Sequence, residues 1–153
     1  MFDAASLDPY DLRHGFPMGS LFRMSLAKPP RDTERYWHGS NLYLAYSMGI
    51  NGMRNYAPDN GPIGVYCFSD VRMAKVVNYC YYVLSGTGCA WTAFAELAIP
   101  FHKTAKFSSD QRVAQQQDVT LVALWFHGVS QTQFTVDHIR PPWDPSLEVD
   151  LTL

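Results

Sequence analysis

Between Glu34 and Phe68 the chain switches between strand-forming and helix-forming runs at short, sharply punctuated intervals, and few folds accommodate that order. Tyr36-Trp37-His38 reads as a short strand, and Asn41 through Asn51 reads as a helix. Gly52 follows its last apolar turn, the usual helix stop. Asn55 to Pro62 (NYAPDNGP) is rich in turn formers and leads into the β-prone run Ile63 to Phe68. Ser69 or Asp70 is placed to cap a second helix, Val71 to Leu84, with Met73, Val76, Val77, Tyr79 and Cys80 at mixed helical spacing. Ser85 to Gly88 (SGTG) ends it. Ala90 to Pro100, Val119 to His127 and Gln133 to Ile139 follow as further strands. Helix and strand alternate early and strands dominate late, which predicts an α+β domain with helices packed on a split sheet.

The flanks carry no such period. Residues 1–33 mix Pro9, Pro17, Pro29 and Pro30 with glycines and isolated hydrophobics, and read as an irregular N-terminal arm. Residues 34–140 form the domain, and 141–153, opening on Pro141-Pro142, form an extended C-terminal tail. A length of 153 residues suits one domain with its own core.

Apolar residues make up 47% of the chain and charged residues 17%, below the roughly 25% usual for soluble domains. Nine Tyr, nine Phe and four Trp suit a core, a flat ligand's pocket or a docking surface, and composition does not choose among them. A net charge of -2, with scattered Lys and Arg, supplies no field for phosphate backbones, so nucleic acid is not expected as the main partner. No apolar run has the length of a signal peptide or a membrane span, which predicts an intracellular, soluble, cytoplasmic protein. Cys67, Cys80 and Cys89 include no CxxC pair, arguing against a disulfide framework or a zinc site, and no metal is expected. His14, His102, His127 and His138 stand apart without ligand spacing.

Strand, His38-Gly39-Ser40, helix, Gly52-Met53-Arg54, loop, Gly64-Val65-Tyr66, helix: in this order the segment resembles the poly(ADP-ribose) polymerase branch of the ADP-ribosyltransferase superfamily. Met48 to Arg54 with Ala57-Pro58 is similar to that family's helix end and donor loop. Val77 to Cys80 resembles its next helix, and Ala95 to Ala98 the strand after that. The resemblance implies an ADP-ribosyltransferase-like split sheet and NAD as donor substrate. Gly39, lacking a side chain, can grip a nicotinamide carboxamide through its own N–H and C=O. His38 is placed to bond a ribose hydroxyl, and Ser40 to add its own hydroxyl to the carboxamide. Gly64 opens the second motif strand, Tyr66 and Tyr79 can sandwich the nicotinamide ring, and Arg54 can meet the diphosphate. Plain alternatives stand beside these: a structural histidine, two core tyrosines, and an arginine complementing a helix dipole.

Active members of that superfamily complete the site with a late acidic residue that stabilises positive charge on the ribose as nicotinamide departs. If Phe134 to Asp137 is the matching strand, Gln133 takes the acidic position and Asp137 shares its face. Glu96 is the other catalytic candidate, on a β-prone run facing one side with Thr92, Phe94 and Ala98. Val76 stands where the family has a serine gripping the carboxamide. Three functions therefore compete. The first is an NAD-dependent mono-ADP-ribosyltransferase acting on a protein acceptor. The second is an inactive form of the fold, assembling with a protein partner through its aromatic surface and Pro-rich arms. The third is a binder of NAD or ADP-ribose without turnover.

Overall fold

The computed structural model describes residues 2–4, 20–84 and 88–130. Strands β1 (Phe2–Ala4), β2 (Ser20–Ser25), β3 (Thr33–Gly39), β4 (Val65–Ser69), β5 (Val83–Leu84), β6 (Cys89–Pro100), β7 (Thr104–Lys106), β8 (Arg112–Ala114) and β9 (Thr120–Ser130) form a mainly antiparallel sheet. Their spatial order is β1-β2-β9-β6-β3-β4-β8-β7, with β5 continuing along β6 beyond the end of β3. Among the described residues, an α-helix, α1 (Leu42–Asn51), a 3-10 helix (Asp70–Tyr79) and a short 3-10 turn (Gln116–Asp118) complete an α+β domain. Among the described residues, no helix is long and apolar enough to cross a membrane.

The long run Cys89–Pro100 lies at the centre because both of its faces are covered, so its apolar content does not need to alternate. On one face Trp37, Phe94 and Trp125 pack with Phe68, Val76 and Cys80 under the 3-10 helix. Phe94 and Trp125 stack at 6.1 Å between centroids, and Trp37 meets both rings at an angle. Burying each such ring contributes about 2 to 3 kcal/mol. On the other face Tyr36, Ala93, Ala95, Leu97 and Ile99 receive Ala45 and Met48 of α1. Alanines on β6 let the helix approach closely. Between Glu96 and Leu97 the pairing with β9 shifts by one residue. At this bulge the Val122 carbonyl turns to accept Leu26 N–H at 2.8 Å and Ala27 N–H at 3.1 Å.

Helix α1 ends where its sequence predicts and begins one residue later, at Leu42. Asn41 caps it by accepting the Tyr43 and Leu44 N–H groups at 3.0 and 2.9 Å. Gly52 ends it at φ 73°, ψ -173°, a conformation open essentially to glycine alone. The second predicted helix is different in kind and shorter. Val71, Val76 and Val77 are β-branched and Asn78 is a poor helix former, so little intrinsic preference favours an α-helix there. Both ends of the segment are instead fixed by the sheet. Asp70 receives Arg35 Nε and Nη2 at 2.9 Å and Trp37 Nε1 at 2.7 Å, while Val76 and Cys80 are sunk in the core. The chain takes the tighter helix to Tyr79 and then extends into β5.

Within the expected irregular arm, residues 2–4 and 20–25 are strands, and β2 pairs with β9 from Ser20 opposite Gly128 to Ser25 opposite Ala123. Arg23, on β2, reaches the core carboxylate Glu96, which explains why an N-terminal segment without clear period joins the sheet. The domain thus begins before residue 34. The strand predicted over Gln133 to Ile139 and the tail 141–153 lie outside the described residues.

Candidate functional site

Strands β3 and β4 pair only at Tyr36 with Ser69 and Trp37 with Phe68. Beyond Trp37 they part, because His38 inserts its ring: Nδ1 lies 2.6 Å from the Tyr66 carbonyl oxygen. A carbonyl can only accept, so Nδ1 carries the proton, and in the neutral ring Nε2 is left as an acceptor. Burial holds the His38 pKa below the ordinary 6.5, against a smaller opposing effect of the Tyr66 carbonyl. His38 is therefore neutral at physiological pH, with Nε2 able to receive a hydroxyl proton.

The gap between the parted strands is an open cavity of about 370 Å³. His38, Gly39, Tyr66 and Tyr79 all line it, so four of the residues singled out in the sequence converge on one cleft. Phe68 and Tyr81 add apolar wall. Tyr66 is held from three sides. Its hydroxyl donates to the Pro62 carbonyl at 2.5 Å, and its ring meets Phe107 at 4.9 Å and Tyr56 at 6.0 Å, both edge-on. Its pKa is raised, first by desolvation and then by the neighbouring Tyr56. Tyr79 leans on Phe68 at 5.1 Å between ring centroids yet stays 46% exposed, leaving much of the side chain accessible. The rim comes from residues 56–64, a loop closed by two backbone bonds between Tyr56 and Gly64 at 2.8 and 3.0 Å. Pro58 and Asn60 of this loop face the cleft.

Gly39 is required for packing whatever the cleft binds. A Cβ there would lie 2.8 Å from the main chain of Tyr79, so the glycine is what lets Tyr79 cross the end of β3. Ser40 is buried just behind. Its carbonyl accepts Tyr81 N–H at 3.0 Å and Thr92 Oγ1–H at 3.2 Å, but its own Oγ has no partner among the described residues. It does not line the cavity.

Other predicted site residues stand elsewhere. Gly64 lies under β8, where a Cβ would strike Val113 Cγ2 at 2.6 Å and the Ala114 carbonyl at 2.7 Å. Arg54 is exposed and is not among the residues lining the cleft. Val76 is fully buried in the aromatic core. Glu96 projects from the face opposite to His38, since it pairs with Trp37 while His38 pairs with Ala95. Its oxygens take Arg23 Nη2 at 3.2 Å and Trp125 Nε1 at 2.9 Å, a core ion pair remote from the cleft. Gln133 and Asp137 lie outside the described residues.

One lining residue was missed by sequence reasoning. Gln111 lines the cleft immediately before β8, the strand paired with Tyr66's own strand. A tight turn fixes it: its carbonyl accepts Phe107 N–H at 3.0 Å, and its N–H donates to Ser108 Oγ at 3.1 Å. β8 has only three residues, Arg112–Ala114, too short a run for periodicity to reveal, and the adjoining Ser108, Ser109 and Asp110 read as loop. Among the described residues lining this cleft there is no carboxylate; Asn60 and Gln111 supply amides. No protein-family model matches the chain, and no curated protein is significantly similar to it.

Proposed function

We propose that the cleft is an NAD site of the ADP-ribosyltransferase type and that the domain binds the dinucleotide far better than it turns it over. The observation carrying this reading is the convergence of His38, Gly39, Tyr66 and Tyr79 on one open aromatic cavity. A flat, amide-bearing ring suits walls made of tyrosines, and a ribose hydroxyl suits a neutral imidazole whose Nε2 accepts. Bound NAD would bring a weak glycosidic bond; the chain's part is to hold the ring, orient the sugar and exclude water. Stabilising an oxocarbenium charge needs a negative group, and Gln111 offers a neutral amide in the cleft lining. Mono-ADP-ribosyl transfer to a protein acceptor is the reaction this arrangement would support if a carboxylate completed it.

Incubation with nicotinamide-labelled NAD separates the parts of this reading. Wild type should bind NAD with little nicotinamide release, and Gln111→Glu should raise release about tenfold or more. Release from wild type that Gln111→Glu leaves unchanged would move the acidic role elsewhere in the chain.

A separate observation favours the interaction-module reading as well. An apolar groove of about 420 Å³ between α1 and the paired strands β2 and β9 is lined by Met24, Leu26, Tyr46, Ile50 and Phe126, with Tyr46 and Ile50 largely exposed. Such a surface suits a protein partner. Ile50→Glu should leave NAD binding intact while altering sedimentation if the groove mediates assembly.

A further inference from the structure

A second cavity, of about 220 Å³, opens beside the aromatic cleft, with Gln111 lining both. Its walls are of the opposite character. Arg72, Lys106 and Arg112 face it together with the hydroxyl residues Ser69 and Ser108, and Asp110 is the carboxylate among them. Three cations against one carboxylate leave a local charge of about +2 on a chain whose net charge is -2. We propose that this cavity is a phosphate subsite, taking the phosphoryl group of a ligand at the mouth of the aromatic cleft. The part of the proposal that joins it to NAD rests on the reading above; the anion site itself does not.

The local bonding leaves donor capacity at this cavity. Arg112 Nε donates to Thr104 Oγ1 at 2.7 Å and its Nη2 to the Thr104 carbonyl at 3.1 Å, which fixes one edge of the guanidinium. Ser108 Oγ already accepts the N–H groups of Asp110 and Gln111 at 3.3 and 3.1 Å, so its own proton can be given to a ligand. Ser69, at the start of the 3-10 helix, makes no side-chain bond to it. Arg72 meets Asp110 only through Nε at 3.7 Å, and both side chains are substantially exposed, an ion pair a phosphate can displace. The cavity is too small for a nucleotide, and cations, hydroxyls and an amide line it, which suits a small charged group. Arg54, expected to meet a diphosphate, is replaced in that role by Arg72 and Lys106.

The test titrates the full chain with inorganic pyrophosphate, with nicotinamide and with NAD. Pyrophosphate should bind, more weakly at higher salt; Arg72→Ala and Lys106→Ala should each lose about tenfold, and Asp110→Asn should gain a few-fold. Nicotinamide affinity should be unchanged in these variants and lost in Tyr79→Ala. Both cations are exposed, so folding is not at stake. If Arg72→Ala weakens NAD as much as pyrophosphate, the phosphate belongs to the dinucleotide; if NAD is unaffected, the subsite serves a separate phosphorylated ligand. Pyrophosphate binding through Arg72 without nicotinamide binding would keep the subsite and remove the NAD reading. No pyrophosphate binding, or binding indifferent to Arg72 and Lys106, overturns the proposal even if nicotinamide binds.

Discussion

His38 couples the cleft to the sheet, because its Nδ1 bonds the Tyr66 carbonyl where β3 and β4 part and the same residue lines the cavity. Its folded-state pKa lies below 6.5, so as pH falls the unfolded chain takes up the proton first. The stability gained by keeping this ring neutral is complete above about pH 6.5 and is lost as pH falls from there through the folded pKa. Denaturation midpoints measured between neutral and mildly acid pH should fall for wild type and flatten for His38→Gln. Glu96 makes the opposite kind of residue-level prediction. Removing its carboxylate strands Arg23 and the Trp125 indole N–H, so Glu96→Ala should cost about 3 kcal/mol of stability while leaving NAD affinity unchanged. An NAD-binding loss in correctly folded Glu96→Ala would return that residue to the site. The Cys67 thiol, pushed up to about 12 by burial, should resist alkylation in the folded state.

At the scale of elements, α1 was legible because the glycine stop at Gly52 is a local signal, while Asn41, read as the first helical residue, is its side-chain cap. Asn41→Ala should cost about 1 kcal/mol, readable as a shifted urea midpoint. Gly39→Ala should cost about 1 to 3 kcal/mol by forcing Tyr79's main chain away, and should narrow the cleft as well. Equal stability and equal ligand affinity in that variant would contradict the close approach of the two segments. What the sequence did not disclose is physical in origin. The 3-10 helix is dictated by anchors distant in sequence, Arg35 and Trp37 holding Asp70, and β2 is dictated by its pairing with β9. Gln111 immediately precedes a three-residue strand whose position depends on β4 and β7, so no period in its neighbourhood could mark it. His38, Gly39, Tyr66 and Tyr79 line one cleft because β3 and β4 part beyond Trp37 and the main chain of Tyr79 crosses Gly39.

At the scale of the whole molecule, α1 and the 3-10 helix cover the two faces of the sheet among the described residues, and the cleft opens where β3 and β4, joined by two residue pairs, part. Rigidity and access are thereby separated: β6 and β9 pair along nearly their full length, while the site occupies the place where pairing stops. The adjoining basic cavity extends the same opening along the β7–β8 turn. Most direct is calorimetric titration of NAD into wild type and His38→Ala, each first shown to be folded by its thermal transition. Saturable binding to wild type, weakened about tenfold or more in His38→Ala and competed by nicotinamide, is what this arrangement predicts. Absence of NAD binding to wild type, or binding of equal strength in the folded variant, would contradict it.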